Sequence, residues 1–325
     1  MRRAVLALLA LIALAVLYVA VQASRHPSLD PYRHLILPPA PATARGVRVT
    51  FAGNTTLLFD DGETAWMTDG FFTRPPVSSL IGRIAPDPAT VDRMLRRLEV
   101  TRLAAVVPVH SHYDHAMDAP VVADRTGALL VGSASTLNIG RGAGLAEKQM
   151  REVKPGDTLP LGRFTLSFVA SRHSPTPFTD GMTPDPVAAP LVPPARATAW
   201  REGQTWSIFV EHPSGFRALV QGSAGFIPGA LSGRRADIVF LGVATLGKKD
   251  EAYRTDYWNE VVKRVGAKRV IPIHWDTFWR SLDEPLVPMP LLADNFGVAM
   301  DDLLKRAGPD HVEVRLPPPL TPFVP

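Results

Sequence analysis

The chain has 325 residues, enough for a large hydrophobic core, and its 46% hydrophobic and 20% charged content excludes a disordered chain. Its net charge is only +4 and the arginines are scattered rather than aligned in a stripe, so no nucleic-acid partner is expected. The absence of cysteine excludes disulfides, thiolate ligands and a thiol nucleophile, which leaves His and carboxylates to hold any metal.

The sequence opens on Met1-Arg2-Arg3, an unbroken apolar run over residues 4–21, and then Gln22-Ala23-Ser24. A basic start, an apolar stretch and the small Ala23 are marks of a cleaved secretory signal. The run also matches the ~18 apolar residues that cross a bilayer, so a retained single-pass anchor fits nearly as well. Either reading puts the remainder in the periplasm or otherwise outside the cytoplasm, secreted or anchored to the inner membrane, with Arg2 and Arg3 inside. Residues 1–23 are thus a signal peptide or membrane anchor. Residues 24–45, with Pro27, Pro31, Pro38, Pro39 and Pro41, read as an extended tether, and residues 46–325 as the folded domain.

Short apolar strands are predicted over residues 48–51, 56–60 and 65–68, punctuated by Gly53-Asn54 and Asp61-Gly62 in the manner of antiparallel hairpins. Asp87 followed by Pro88 predicts a capped helix. Residues 103–109 form an apolar run, as in a strand covered on both faces, and the run ends directly in His110. The same kind of ending recurs: 164–170 before His173, 218–220 before Gly222-Ser223, and 270–273 before His274. Sites in layered α/β proteins collect beyond the carboxyl ends of strands, so four such endings predict one shared crevice. The proline-rich stretch from Pro175 to Gly203 is a candidate lid.

His110-Ser111-His112-Tyr113-Asp114-His115 concentrates three imidazoles and a carboxylate just after a buried strand. Neutral imidazole and carboxylate are the ligands of zinc and related ions, and a turn lets alternate side chains reach different metals. His173 and His274 stand at other strand ends and can join them. The remaining His26, His34, His212 and His311 read as solvated.

His110-x-His112-x-Asp114-His115, followed by His173 and His274, resembles the metallo-β-lactamase superfamily over residues 46–316, with support from Asp69 in Met67-Thr68-Asp69-Gly70 and from Lys154-Pro155-Gly156-Asp157. The resemblance implies an α/β fold, a four-layer αββα sandwich, preceded here by the single N-terminal apolar segment. It implies one metal held by His110, His112 and His173, a second held by Asp114, His115 and His274, and a hydroxide between them made available near neutral pH. The implied cofactor is zinc, one or two ions, with iron and manganese chemically open.

One position departs from the pattern. Most superfamily hydrolases bridge the metals with an Asp where this chain has Ser223. The second site should then bind more weakly, unless Asp276 supplies the carboxylate. Ser223 is expected to act through a hydrogen bond to a ligand or to the water, and Asp69 to position ligand-bearing loops. Tyr113, Phe72, Phe178, Phe226, Trp275, Phe278 and Trp279 could wall the site, and Arg172 and Lys248 could meet an anionic group.

Within the superfamily, His-Ser-His-Tyr-Asp-His and Ile271-Pro272-Ile273-His274-Trp275 look most like the ascorbate-phosphate lactonase and N-acyl-phosphatidylethanolamine phospholipase D-like branch. The implied activity is hydrolysis of an ester, lactone or phosphodiester, on a small-molecule or lipid-like substrate. The alternatives are a secreted class B-type β-lactamase and a non-catalytic, membrane-tethered metal-binding protein.

Overall fold

A computed structural model describes residues 2–41, 43–176 and 185–325. The chain begins with α1 (Arg2–Ser24), whose apolar side chains such as Leu8, Leu11 and Leu14 are exposed. It is the one helix among the described residues long and apolar enough to cross a membrane.

Residues 24–45 are not the extended tether that their prolines predict. A 3-10 turn at Asp30–Leu35 buries Tyr32 and Leu35. The Tyr32 hydroxyl donates to Asp301 Oδ1 at 2.7 Å, and the Leu37 N–H donates to the Leu316 carbonyl at 2.9 Å. The apolar residues between the prolines have partners on the C-terminal part of the chain, which only the folded domain supplies.

The first sheet starts with β1 (Arg48–Phe51), β2 (Leu57–Asp60) and β3 (Ala65–Thr68), an antiparallel meander turned where Gly53-Asn54 and Asp61-Gly62 predict it. Helix α2 (Pro88–Arg97) starts as expected, with the Asp87 side chain accepting from the Ala89 N–H, and buries Val91, Met94 and Leu95 at helical spacing. Strand β4 (Ala105–Val107), the one-turn helix α3 (Tyr113–Ala116), α4 (Ala119–Thr126), β5 (Leu129–Gly132), α5 (Ala134–Gly142) and β6 (Met150–Glu152) follow. Strands β3 to β6 pair in parallel, as sheets fed by crossover helices do.

The second sheet contains β7 (Thr158–Leu161), β8 (Phe164–Ser171), β9 (Thr205–Glu211), β10 (Arg217–Gln221), β11 (Ile238–Gly242), β12 (Arg269–Ile273) and β13 (Glu313–Val314), in sequential order across the sheet. Strands β7 to β10 are antiparallel neighbours and β10 to β13 parallel ones. Helices α6 (Glu251–Tyr257) and α7 (Phe296–Asp310) belong to this half, and β14 (Pro322–Phe323) returns to pair with β1.

The sheets face each other across the core. Phe59 stacks on Trp66 at 4.4 Å and meets Phe240 of the second sheet edge-on at 5.5 Å. Helices flank the pair, giving the αββα sandwich. Gly222, just past β10, has no room for a side chain, since a Cβ there would fall 2.7 Å from Val109 Cβ. The Gly222 backbone, past the end of β10, is thereby packed against the Val109 side chain, past the end of β4, at one rim.

Candidate metal centre

Four strand ends build that rim. His110 follows β4, His173 follows β8, Ser223 follows β10, and His274 follows β12 directly. The ligand atoms of His110, His112 and His173 lie within 4.8 Å of one another, as do those of Asp114, His115 and His274. The rings of His110 and His115 are 3.9 Å apart, so the two groups adjoin. One helical turn, α3, turns Asp114 and His115 inward together while His112, just before it, keeps an extended backbone toward the other group.

The donor set fits cations. Burial first, then neighbouring imidazoles, push His110 well below its ordinary range and His112 and His274 down to about 3. These rings are therefore neutral, the form that ligates metal. His110 Nε2 and His112 Nδ1 face each other at 3.1 Å. The buried His115 Nε2 has no hydrogen-bond partner among the described residues and stands 3.2 Å from Asp114 Oδ2. Burial acts to lower His115, but Asp114 and Asp69 outweigh it and lift the imidazole to about 10. A cation on Nε2 would take the place of that proton.

A buried frame holds the ligands. Asp69 Oδ2 is 2.8 Å from His115 Nδ1, and Asp69 Oδ1 accepts from the Val109 N–H at 2.9 Å, so one carboxylate aims a ligand and fixes the end of β4. Asp69 thus positions loops, as expected. Asn54, by its sequence a turn residue, does more: its Nδ2 donates to the Asp114 carbonyl and its own carbonyl accepts from the His274 N–H at 2.6 Å. Asn54, Asp69, Arg74 and His274 all have positive φ, between 47° and 58°. Such backbone is costly outside glycine and persists where surrounding contacts over-determine it.

Asp276 does not complete the second site. Its Oδ1 accepts from the Asn54 N–H at 2.7 Å and its Oδ2 pairs with Arg74 at 2.8 Å, both side chains fully buried beside Gly53. Ser223 lies outside both ligand groups; its hydroxyl accepts from the Ser174 N–H at 2.8 Å, next to His173. Glu202, which no sequence signal marked, accepts from the His173 N–H through Oε1 at 3.3 Å and from the Ser111 N–H through its carbonyl at 2.9 Å.

The apolar wall differs from expectation. Tyr113, Phe278 and Trp279 stand at the site, with the Phe278 ring 5.6 Å from His274 and Trp279 Nε1 donating to the Tyr113 hydroxyl at 3.0 Å. Phe71, not foreseen, packs on Tyr113 at 6.2 Å. Phe72 and Trp275 are buried in the main core and Phe226 packs against it, while Phe178 lies outside the described residues. Arg172 and Lys248 are exposed.

The candidate lid is packed where it is described. Val187, Ala195 and Trp200 are buried in the apolar cluster beside the site, and the Leu191 N–H donates to the Asn138 carbonyl at 3.0 Å. Residues 177–184 lie outside the described residues. His212 is not solvated: it is buried, with Nε2 at 2.9 Å from Asp61 Oδ2 and its ring 4.9 Å from Phe164. A histidine in a turn becomes internal here because it meets Phe164 of β8 and Asp61 of the turn between β2 and β3.

The profile of the β-lactamase superfamily domain matches residues 76–275, more than half of the chain. The chain belongs to the metallo-β-lactamase superfamily. It is 25% identical over 240 residues to a UPF0173 metal-dependent hydrolase of Exiguobacterium, covering 71% of this chain and 87% of that protein. It is also 25% identical over 249 residues to one from Heliobacterium modesticaldum, covering 71% and 84%. Igni18, a metallo hydrolase from Ignicoccus hospitalis, shares the fold with a TM-score of 0.53 at 14% identity, over 86% of this chain and 97% of that one. This superfamily member is a metal-dependent hydrolase, and its six ligand-type side chains are the place where a metal can act.

Proposed function

We propose that the protein hydrolyses an ester, lactone or phosphodiester of a small-molecule or lipid-like substrate, outside the cytoplasm, with one or two zinc ions as cofactor. The observation that carries this reading is the meeting of two three-ligand groups, one of three histidines and one of Asp114, His115 and His274, at a shared rim. When bound, such cations act as Lewis acids that polarise the scissile bond and bring the pKa of a bound water toward neutrality.

The chain's own residues do the rest. His110, His112 and His173 offer neutral nitrogens, and Asp114 brings negative charge to the second group. Asp69 orients His115, and the hydroxyl of Ser223 steadies the His173 loop through Ser174. Phe71, Tyr113, Phe278 and Trp279 form an apolar flank that suits the carbon skeleton of a substrate rather than a second charge. The lactonase and phospholipase D-like branch remains the likeness that suggests these bond types, and zinc is the ion that imidazole-rich sites favour.

The test is metal content per chain with turnover of chromogenic lactone, phosphodiester and cephalosporin substrates, run on wild type and His112→Ala. The expected result is one or two metals and a lactone or phosphodiester hydrolysis that His112→Ala abolishes. Cephalosporin turnover alone, or metal without any turnover, overturns the proposal.

A further inference from the structure

Helix α1 does not end in slack chain. The Leu292 N–H donates to the Gln22 carbonyl at 3.0 Å and the Leu291 N–H to the Arg25 carbonyl at 2.8 Å. His26 Nδ1 sits 2.6 Å from the Pro288 carbonyl oxygen. These bonds clamp the last turn of the helix to residues 288–292.

That stretch belongs to the loop leaving His274. Asp276 bridges to Pro288, and the Met289 N–H donates to the Trp275 carbonyl at 3.1 Å. Beyond the clamp, the 3-10 turn at Asp30–Leu35 lies along the start of α7, with Tyr32 and Phe296 rings 5.6 Å apart. Two apolar side chains in this neighbourhood are left in the open: Leu292 is 50% exposed and Val298, in the first turn of α7, 39%.

The 20 residues Val5–Ser24 form a helix of ~30 Å, the thickness of a bilayer's hydrocarbon core. If the helix spans, Gln22 and Arg25 stand at the outer surface of the membrane. With no free linker, residues 288–292 must stand there too, and Leu292 and Val298 meet lipid rather than water. Of these bonds, the one from the Leu292 N–H to the Gln22 carbonyl joins the segment that cleavage before Ser24 would remove, and a discarded signal needs no bond to the mature domain.

We propose that α1 is a retained anchor and that the face made by residues 288–292 and the first turn of α7 rests on the outer surface of a lipid bilayer. The orientation places the His274 loop at the membrane interface. Met289 and Phe278 belong to one apolar cluster that runs from this face to the His274 ring. The proposal rests on the extracytoplasmic reading above and adds to it a retained helix and a fixed orientation.

The chain has no cysteine, so single cysteines can be labelled cleanly. The full chain, isolated from membranes and placed in phosphatidylcholine–phosphatidylglycerol nanodiscs, is labelled with an environment-sensitive dye at Leu292→Cys, Val298→Cys and Lys268→Cys. Lys268 precedes the five residues of β12 and stands ~20 Å along that strand from His274. The expected result is that dyes at 292 and 298 lose most emission to nitroxide-bearing lipid and little to aqueous iodide, while the dye at 268 does the reverse. A chain whose intact mass begins at Ser24, or that does not sediment with membranes, overturns the anchor and the docking together. An anchored chain in which all three dyes respond alike to iodide overturns the docking and leaves the extracytoplasmic reading standing.

Discussion

At the scale of single residues, ligand chemistry is local but ligand aim is not. Among the six ligand-type residues Asp69 meets His115, and it aims that ring and ties down Val109. Residues in this role typically change metal affinity about 10–100-fold when altered. Asp69→Asn should therefore weaken metal retention by about that factor in a chelator competition while the far-UV circular dichroism stays native. Ser223→Ala leaves all six ligands in place but strands the buried Ser174 N–H, a loss of about 1–3 kcal/mol. Urea denaturation should show it, and a variant as stable as wild type would remove the role given to that hydroxyl. The Arg74–Asp276 pair is fully buried, so Arg74→Met leaves an uncompensated charge and should cost about 3–5 kcal/mol. Replacing Asp276 by Leu in the same chain should return part of that loss, which the same denaturation series would reveal.

At the scale of elements, the site depends on how closely strand ends approach. Val109 and Gly222 come from different sheets, and a Cβ at position 222 would stand 2.7 Å from Val109 Cβ. Gly222→Ala should thus overpack the rim and cost about 1–3 kcal/mol. Calorimetry on Gly222→Ala and on Gly222→Ala with Val109→Ala measures this, since the second change removes the two Val109 Cγ atoms but leaves its Cβ at 2.7 Å, and should recover only part of the stability. Helix α2 shows the opposite case: its cap at Asp87 and its apolar spacing are written in a short consecutive stretch, the cap and the ten residues of the helix, and it forms where they say. The segment 24–45 could not be read in this way, because the partners of Tyr32 and Leu37 lie more than two hundred residues away.

At the scale of the whole molecule, buried carboxyls outside the ligand set shape the response to pH. Burial pushes Asp118 and Asp294 up to about 6 from an ordinary value of 3.8. Between those values the folded chain binds protons that the unfolded chain has released. The stability these groups contribute is present in full below pH ~4 and is lost as pH rises through about 6. Asp294→Asn removes one of the two titrations, so unfolding free energy should fall less steeply from pH ~4 to pH ~6.5 than in wild type, as denaturation across that range will show. An unchanged slope would mean that Asp294 is not held up in the folded chain.

The sequence by itself determined the ingredients: an apolar first helix, a meander marked by Gly53-Asn54 and Asp61-Gly62, a capped α2, and strands that stop at His110, His173 and His274. Each of these is a local pattern of polarity, capping or turn chemistry, legible in a few neighbouring residues. Tertiary structure alone decided the rest. It brought Asn54 and Glu202 to the ligand loops, spent Asp276 on Arg74, and drew His212 inward. It also clamped the end of α1 to the loop behind His274. The physical reason is that a buried polar group must find a partner, and the partner's distance along the chain has no bearing on its distance in space.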